Sequence, residues 1–230
     1  MRCFAGTSGY NFDAWKGIFY PEDLGPDEWL HFYAQRLPSV EINYTFYRTP
    51  NVKTLETWAT QVPGEFRFSL KASQRITHRT RLADADTTTF FCDRIKVLGS
   101  QLGPTLVQLP PFFRKDADRL KTFLQSLPSH VRPALEFRNK SWFDDEIKAI
   151  LQEHRAALCI ADDDELECPL WATADYGYLR LRKEVYDPAA LKDWADKIKA
   201  QSWSHCFIYF KHEDGAVGVK LAHEMMALLT

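Results

Sequence analysis

The chain has 230 residues and a formal net charge of -2 at pH 7. Its composition, 45% hydrophobic and 26% charged, is that of an ordinary globular protein with enough chain for a sizeable core. This charge balance does not favour general nucleic-acid binding, although it leaves a local basic patch open, and no run approaches the ~18 apolar residues of a membrane helix.

Eight short β-rich runs recur along the chain, separated by helical patterns. The predicted strands are residues 2–7, 39–47, 66–72, 104–110, 133–139, 156–162, 177–183 and 206–212. The predicted helices are 26–37, 51–61, 86–101, 114–127, 141–154, 187–201 and 216–229, whereas the polar segment 162–177 favours a loop. Alternation of strands with helices predicts parallel pairing. Eight such units, without a linker or a dinucleotide-binding or P-loop motif, predict an α/β fold: a single eight-stranded parallel (β/α)8 TIM barrel over residues 1–230.

Alternation inside the predicted strands divides their side chains between two faces. Helices cover the outer face of a parallel barrel, so apolar side chains point outward and polar ones inward. In the second strand this predicts that Val40, Ile42, Tyr44 and Phe46 point outward and that Glu41, Asn43, Thr45 and Tyr47 point inward. Elsewhere the inward set is Arg67, Ser69, Lys71, Gln108, Glu136, Arg138, Tyr178, Arg180, Arg182, Tyr209 and Lys211.

This inward set is unusually basic for a barrel interior. It contains six bases against the two acids Glu41 and Glu136, an excess of about four positive charges, or three if Arg67 reaches solvent at the other end. A buried ion must pair, reach water or meet a ligand. The excess therefore predicts an anion at the carboxyl-terminal mouth, while a polar barrel held by structural ion pairs remains the alternative. Gly215 and Gly218, in the loop before the last helix, are a weak additional sign of phosphate binding.

The five cysteines bear on the compartment. They are odd in number and never spaced as CxxC. Buried thiols in a reducing cytoplasm are the expected arrangement, and the first residues lack the apolar core of a signal peptide. We therefore expect a cytoplasmic protein without a membrane partner.

Several motifs resemble those of the YecE-like family, a (β/α)8-barrel family classed as domain of unknown function 72. They are GTSGY and WKGIFYP within 6–21, VEINYTFYRTP at 40–50, FRFSLKAS with ITH within 66–78, LVQLPPFF at 106–113 and LEFRNKSWF at 135–143. The resemblance implies the barrel and a shared pocket of Glu41, Asn43, Lys71, Gln108, Glu136 and Arg138, but no reaction. RLRK at 180–183 and KH at 211–212 depart from the family's Arg-x-His-Gly and Asn-Asn, which strengthens the prediction of an anion here.

Two functions follow as hypotheses. The first is an enzyme, such as a hydrolase or lyase, acting on a small phosphorylated or carboxylated metabolite, with Glu41 or Glu136 as base and Lys71 or His78 as electrophile or acid. The predicted ligand-binding residues are Asn43, Tyr47, Gln108, Arg138, Trp142, Arg180, Arg182, Lys211 and His212. The second is a nucleic-acid-directed protein, nuclease-like or repair-like, that grips a phosphate backbone.

Other chemistries are less favoured. Basic neighbours should keep both glutamates ionised, which disfavours a glycosidase, and no HxH or HExxH spacing supports a metal site. No cofactor is evident. Lys71 has two possible roles, a Schiff-base nucleophile or a salt-bridge partner of Glu41 or Glu136. The oligomeric state stays open.

Overall fold

The structure is a computed structural model that describes residues 1–230 and contains eight strands, all paired in parallel. The strands are β1 (Arg2–Thr7), β2 (Ser39–Ile42), β3 (Arg67–Leu70), β4 (Thr105–Gln108), β5 (Pro133–Glu136), β6 (Ala157–Asp162), β7 (Tyr176–Leu181) and β8 (His205–Phe210). Each lies within or beside a predicted run. Most are shorter than predicted, because the polar residues at their carboxyl ends leave the sheet to form the mouth.

Eight α-helices alternate with these strands. They are α1 (Trp29–Ala34), α2 (Tyr44–Tyr47), α3 (Val52–Gln61), α4 (Ala85–Ile95), α5 (Ala117–Ser126), α6 (Asp145–Glu153), α7 (Pro188–Lys199) and α8 (Val217–Leu229), and a π-helical turn spans Arg75–Arg79. Asn or Asp caps α3 to α7 by accepting a backbone N–H of the first turn. Asp144 caps α6, so the predicted start at Ser141 was three residues too early. The segment between β6 and β7 contains no helix, as predicted.

The strands form two hydrogen-bonded sheets. One has six strands in the order β1-β8-β7-β6-β5-β4, and the other pairs β2 with β3. Isolated parallel bridges, Phe68 with Leu102 and Lys71 with Leu106, connect β3 to the segment of β4. Between β1 and β2 no ladder forms, because the Tyr33 hydroxyl accepts the N–H of Thr7 at 2.9 Å and donates to the Ser39 carbonyl at 3.0 Å. The observed architecture is thus an α/β fold with a six-stranded parallel sheet.

The second strand ends earlier than its alternating pattern predicts. Ile42 is its last residue, and Tyr44–Tyr47 turn into the short helix α2. The prediction that Tyr44 and Phe46 lie under outer helices was therefore wrong: Tyr44 is 53% exposed. Thr45 is fully buried, and its hydroxyl donates to the carbonyls of Ile42 and Lys71. The other side chains of the strand point as predicted, and Val40 and Ile42 lie in the apolar core.

Apolar packing occupies both faces of the sheets. A cluster of 54 buried residues includes the outward side chains of the strands and the helix faces that pack on them. A smaller cluster of nine lies on the inner face and includes Phe4, Leu106, Tyr178 and Tyr209. The inner face is therefore apolar and aromatic in part, and charge is concentrated beyond it, at the carboxyl ends of the strands. No helix combines the length and hydropathy that spanning a membrane requires.

Candidate functional site

A cavity of about 810 Å³ opens at the carboxyl ends of the strands, the end where parallel barrels hold their sites. Five cations line it: Lys71, Arg138, Arg180, Arg182 and Lys211. The rest of its wall comes mainly from the segment after β1 and from Ile42 to Tyr47, including the predicted residues Asn43 and Tyr47, with Gln108 and Glu213. Most of the site residues predicted from the sequence therefore lie together around this cavity.

Glu41, at the carboxyl end of β2, is fully buried on the inner face. Its Oε1 accepts hydrogen bonds from Ser8 Oγ at 2.7 Å, Asn43 Nδ2 at 3.2 Å and Arg180 Nη2 at 3.0 Å. Its Oε2 accepts from the Tyr178 hydroxyl at 2.7 Å. Four donors therefore hold this carboxylate, which leaves it little capacity to accept a hydrogen bond from a ligand.

Glu136, the last residue of β5, is equally buried. Its Oε1 accepts from Gln108 Nε2 at 2.7 Å and from Arg138 Nε at 2.9 Å, and its Oε2 accepts from Arg180 Nη1 at 2.7 Å. Burial by itself raises the pKa of Glu136, but the charges of Arg180 and Arg138 and the hydrogen bonds from Arg180 and Gln108 outweigh it and lower the pKa to about 2. Glu136 is thus a permanent anion at neutral pH and a weak base.

Arg180, in β7, joins the two glutamates through its two terminal nitrogens. Only 3% of its side chain is exposed. The charges of Glu41 and Glu136 overcome the effect of burial and raise the pKa of Arg180, so it is always charged. Its Nε is buried and has no hydrogen-bond partner, and the Nε of Arg182 is in the same state. Both residues line the cavity, and each has one buried donor that is unsatisfied.

Asp163, in the loop after β6, pairs with two cations of the site, although it was not among the predicted site residues. Its carboxylate lies 3.3 Å from Arg182 Nη1 and 3.9 Å from Arg138 Nη2, and Glu165 lies 3.5 Å from Arg138 Nη1. The signal was present in the acidic run after the sixth strand, but the segment carried no strand or helix periodicity to orient it.

These acids reduce the predicted excess of charge. The five lining cations pair with four acids, Glu41, Glu136, Asp163 and Glu165, so the excess is one rather than about four. Lys71 and Lys211 are the two lining cations that form no ion pair with a carboxylate, and the acid Glu213 also lines the cavity. Arg67 lies at the other end of β3, where Arg2, Glu65 and Arg132 influence its pKa, and contributes nothing to the mouth.

Lys71 follows β3 directly and faces the cavity. Its Nζ donates to Gln108 Oε1 at 2.8 Å and lies 4.3 Å from the centre of the Phe46 ring. Burial lowers the pKa of Lys71 to about 8; the charge of Arg180 acts in the same direction, and those of Glu136 and Glu41 oppose it. The predicted salt bridge to Glu41 or Glu136 does not form, because Gln108 lies between the lysine and Glu136.

Five predicted site residues lie outside the cavity lining: Glu41 and Glu136, which lie buried behind it, and Trp142, His78 and His212. Trp142 is fully buried, stacks on Phe137 and donates its indole N–H to the Phe113 carbonyl, so it is a core residue. His78 contacts the edge of the Phe46 ring, and burial and the charge of Lys71 lower its pKa. His212 lies 2.7 Å from the Lys183 carbonyl and packs on Tyr186.

The loop after β8 and the first turn of α8 contain the two glycines Gly215 and Gly218, each of which has a role in the backbone geometry. Gly218 allows close packing of the backbone, because a Cβ added there would lie 3.0 Å from the His212 carbonyl oxygen. Gly215 has a positive φ of 56° and closes a short turn. The same loop contributes Lys211 and the acid Glu213 to the lining.

Aromatic residues form the outer wall, and the sequence analysis missed several of them. Tyr10, Phe12, Tyr44, Phe46 and Trp58 line the cavity beside the predicted Tyr47. GTSGY contains Tyr10 but served only to indicate the family resemblance, and the alternation of residues 40–47 predicted that Tyr44 and Phe46 point outward. No group of three or more His, Cys, Asp and Glu side chains is arranged to hold a metal ion.

Solved structures of similar proteins have the same fold. A DUF72 family protein from Thermotoga maritima MSB8 superposes with a TM-score of 0.86 at 23% identity, covering 99% of this chain and 100% of that one. A DUF72 family protein from Enterococcus faecalis V583 gives 0.82 at 18% identity, with 99% and 95% covered. At these identities the likeness concerns the fold alone.

Sequence comparison identifies the family. The UPF0759 protein YunF of Bacillus subtilis (strain 168) is 29% identical over 133 residues, which are 54% of this chain and span about half, 47%, of that protein. The family described as "Protein of unknown function DUF72" matches residues 4–230. This confirms the resemblance inferred from the motifs. The chain belongs to the DUF72 family.

Proposed function

We propose that this protein is an enzyme that acts on a small phosphorylated or carboxylated metabolite, bound in the cavity at the mouth of a closed, single-domain (β/α)8 barrel. The bridges between β3 and the β4 segment, and the link through Tyr33 between β1 and β2, support closure. Five free cysteines are compatible with a reducing cytoplasm. The proposal includes no cofactor.

One observation carries the proposal: five cations line the cavity, two of them, Lys71 and Lys211, form no ion pair, and the buried Nε atoms of two others, Arg180 and Arg182, have no hydrogen-bond partner. A buried N–H without an acceptor costs about 1–3 kcal/mol, and an arginine that donates to an anion forms a stronger bond than one that donates to a neutral group. A carboxylate or phosphate oxygen at this position relieves that cost. Asn43 Oδ1, also unpartnered, accepts from a hydroxyl of the same ligand.

The geometry divides the roles of the predicted residues. Glu41 and Glu136 hold Arg180, Arg138 and Asn43 in place, because their own oxygens are already occupied. Arg182 and Lys211 bind the anion. Lys71 moves the proton, since a pKa of about 8 lets it exchange protons near neutral pH, whereas the pKa of Glu136 is too low for an efficient base.

The test is the binding of phosphate monoesters and of free carboxylates, measured by calorimetry, to the native protein and to Arg182→Gln and Lys211→Ala. We expect the affinity to fall at least tenfold in each variant. Arg67→Gln is the matched control, because Arg67 is also half-buried but lies at the other end of β3. Arg180→Ala is unsuitable, since it leaves two buried glutamates without their shared partner. Equal affinities in Arg182→Gln and the native protein overturn the proposal.

A second candidate is a protein directed to nucleic acid. Tyr44 and Tyr47 at the rim are 53% and 72% exposed. Exposed tyrosines can stack on the bases of a single strand, while neighbouring lysines and arginines pair with its phosphates. Binding of a single-stranded oligonucleotide with a steep salt dependence, lost in a Tyr44→Ala, Tyr47→Ala double variant, supports it. No binding at low salt eliminates it.

A further inference from the structure

Lys71 has an environment that the anion-binding role does not require. Its backbone is fixed on three sides: its N–H donates to the Ile42 carbonyl at 3.1 Å, its carbonyl accepts the Thr45 hydroxyl at 2.7 Å, and it forms a bridge with Leu106. The side chain therefore enters the cavity from a rigid position at the end of a strand.

The amine has a neutral partner. Gln108 Nε2 donates to Glu136 at 2.7 Å, which fixes the orientation of the amide and turns its oxygen toward Lys71. A carboxylate in that position would stabilise the ammonium ion strongly, whereas an amide oxygen also accepts a hydrogen bond from the uncharged amine. Gln108 thus separates Lys71 from the anion Glu136 by one side chain.

The surroundings of the amine favour its neutral form. Burial and the charge of Arg180, which lines the same cavity, disfavour the ammonium form, whereas the face of the Phe46 ring, 4.3 Å from Nζ, attracts it. With a pKa of about 8, roughly a tenth of Lys71 is uncharged at neutral pH, against a few parts in ten thousand for an exposed lysine. An uncharged lysine facing an anion-binding cavity is the arrangement of a nucleophile.

We propose that Lys71 is a catalytic residue that forms an imine with an anionic substrate carrying an aldehyde or ketone group. This inference rests on the proposed function and narrows the substrate to oxo acids and sugar phosphates. The lone pair of Nζ attacks the carbonyl carbon, and the carbonyl oxygen takes up a proton to give a carbinolamine. In the second step the hydroxyl group of the carbinolamine leaves as water, while the nitrogen loses its remaining proton and the C=N bond forms. Over both steps the nitrogen gives up two protons, and the carbonyl oxygen leaves as one water molecule.

The experiment uses a matched pair of probes on the native protein. Pyridoxal 5′-phosphate has an aldehyde and a phosphate, and pyridoxine 5′-phosphate has an alcohol in place of the aldehyde. The protein is incubated with the aldehyde, reduced with borohydride and mapped by peptide mass spectrometry. We expect Lys71 to be labelled at least tenfold faster than any other lysine, and the alcohol to slow that labelling by competition.

Two internal comparisons make the labelling specific. Lys115, held by Asp144 and Glu146, has a raised pKa and should be labelled most slowly. Lys220→Arg, at an exposed position on α8, should retain the label on Lys71, whereas Lys71→Arg, which keeps the charge, should abolish the fast phase. The rate should rise with pH and level off above about 8.

The outcomes separate the two proposals. If pyridoxine phosphate binds in calorimetry but Lys71 is labelled no faster than exposed lysines, the imine is wrong and the anion site stands. If neither compound binds and Lys71 is unlabelled, both proposals fail. Fast labelling of Lys71 that the alcohol blocks supports both.

Discussion

Arg180 and its two glutamates form a structural unit at the floor of the site. All three side chains are buried: Arg180 is 3% exposed, and Glu41 and Glu136 are 0% exposed. Removing one partner of a buried ion pair costs about 3–5 kcal/mol, because the other charge stays buried without compensation. The unit therefore couples the stability of the fold to the geometry of the mouth.

Glu136 should make the fold sensitive to acid. Its folded pKa of about 2 lies below the ordinary value of 4.5, so its contribution is complete above pH 4.5 and is lost as the pH falls toward 2. The shift corresponds to about 3 kcal/mol. We expect Glu136→Gln to be less stable than the native protein at neutral pH in urea unfolding, and the difference to shrink through this acidic window. Glu56→Gln on the exposed surface of α3 should parallel the native protein, and a constant difference at all pH values contradicts the assignment.

Lys71 should have the opposite effect on stability. Its folded pKa of about 8 lies below the ordinary 10.5, so the unfolded chain binds the proton more tightly and the charged lysine destabilises the fold at neutral pH. Lys71→Met should therefore stabilise the protein by about 1–3 kcal/mol in urea unfolding, with loss of activity. The gain should shrink as the pH rises from 8 to 10.5. Lys211→Met, at an exposed position, is the control; a Lys71→Met protein less stable than native refutes this reading.

At the scale of elements, α2 connects the fold to the cavity wall. Thr45 anchors this one-turn helix to β2 and to the residue after β3, while Tyr44, Phe46 and Tyr47 face the cavity. A helix of four residues has too few backbone hydrogen bonds to stand alone. The position of three aromatic side chains thus depends on one buried hydroxyl.

Thr45→Val removes that hydroxyl and keeps the shape of the side chain. We expect a loss of about 1 kcal/mol of stability and faster hydrogen exchange at the amides of residues 44–48, because the buried carbonyls lose a donor. Hydrogen exchange read by mass spectrometry measures this. Thr57→Val, whose hydroxyl donates to the exposed Lys53 carbonyl, should leave that segment unchanged. Unchanged exchange in Thr45→Val means that packing alone holds α2.

The sequence predicted the strands better than their ends. Alternation correctly predicted that Glu41, Glu136 and Arg180 point to the inner face, because assigning a strand side chain to one face requires only the period of two. The same alternation failed for Tyr44 to Tyr47, because four residues fit a strand and a helical turn equally well. Asp163 could not be included in the predicted charge balance, because a loop without periodicity does not indicate where its side chains point.

At the scale of the whole molecule, β1 and β2 determine whether the strands act as one unit. Gly6 brings the two backbones together: an added Cβ would lie 1.9 Å from the Ser39 carbonyl oxygen and 2.9 Å from the Tyr33 hydroxyl. On the inner face, the Tyr209 hydroxyl of β8 lies 2.6 Å from Ser39 Oγ of β2 and donates to Ser69 Oγ of β3 at 2.8 Å. These contacts join the two-stranded sheet to the six-stranded one without a ladder.

Gly6→Ala tests this joint. The methyl group forces β1 and β2 apart, so we expect a loss of about 3 kcal/mol or more in urea unfolding. If the eight strands close into one barrel, the amides of β2 and β3 should lose exchange protection together with those of β1 and β8. Gly64→Ala is the matched control, since nothing lies within 4 Å of its added Cβ. Retained protection in β2 and β3 while β1 opens would show that the two sheets unfold separately.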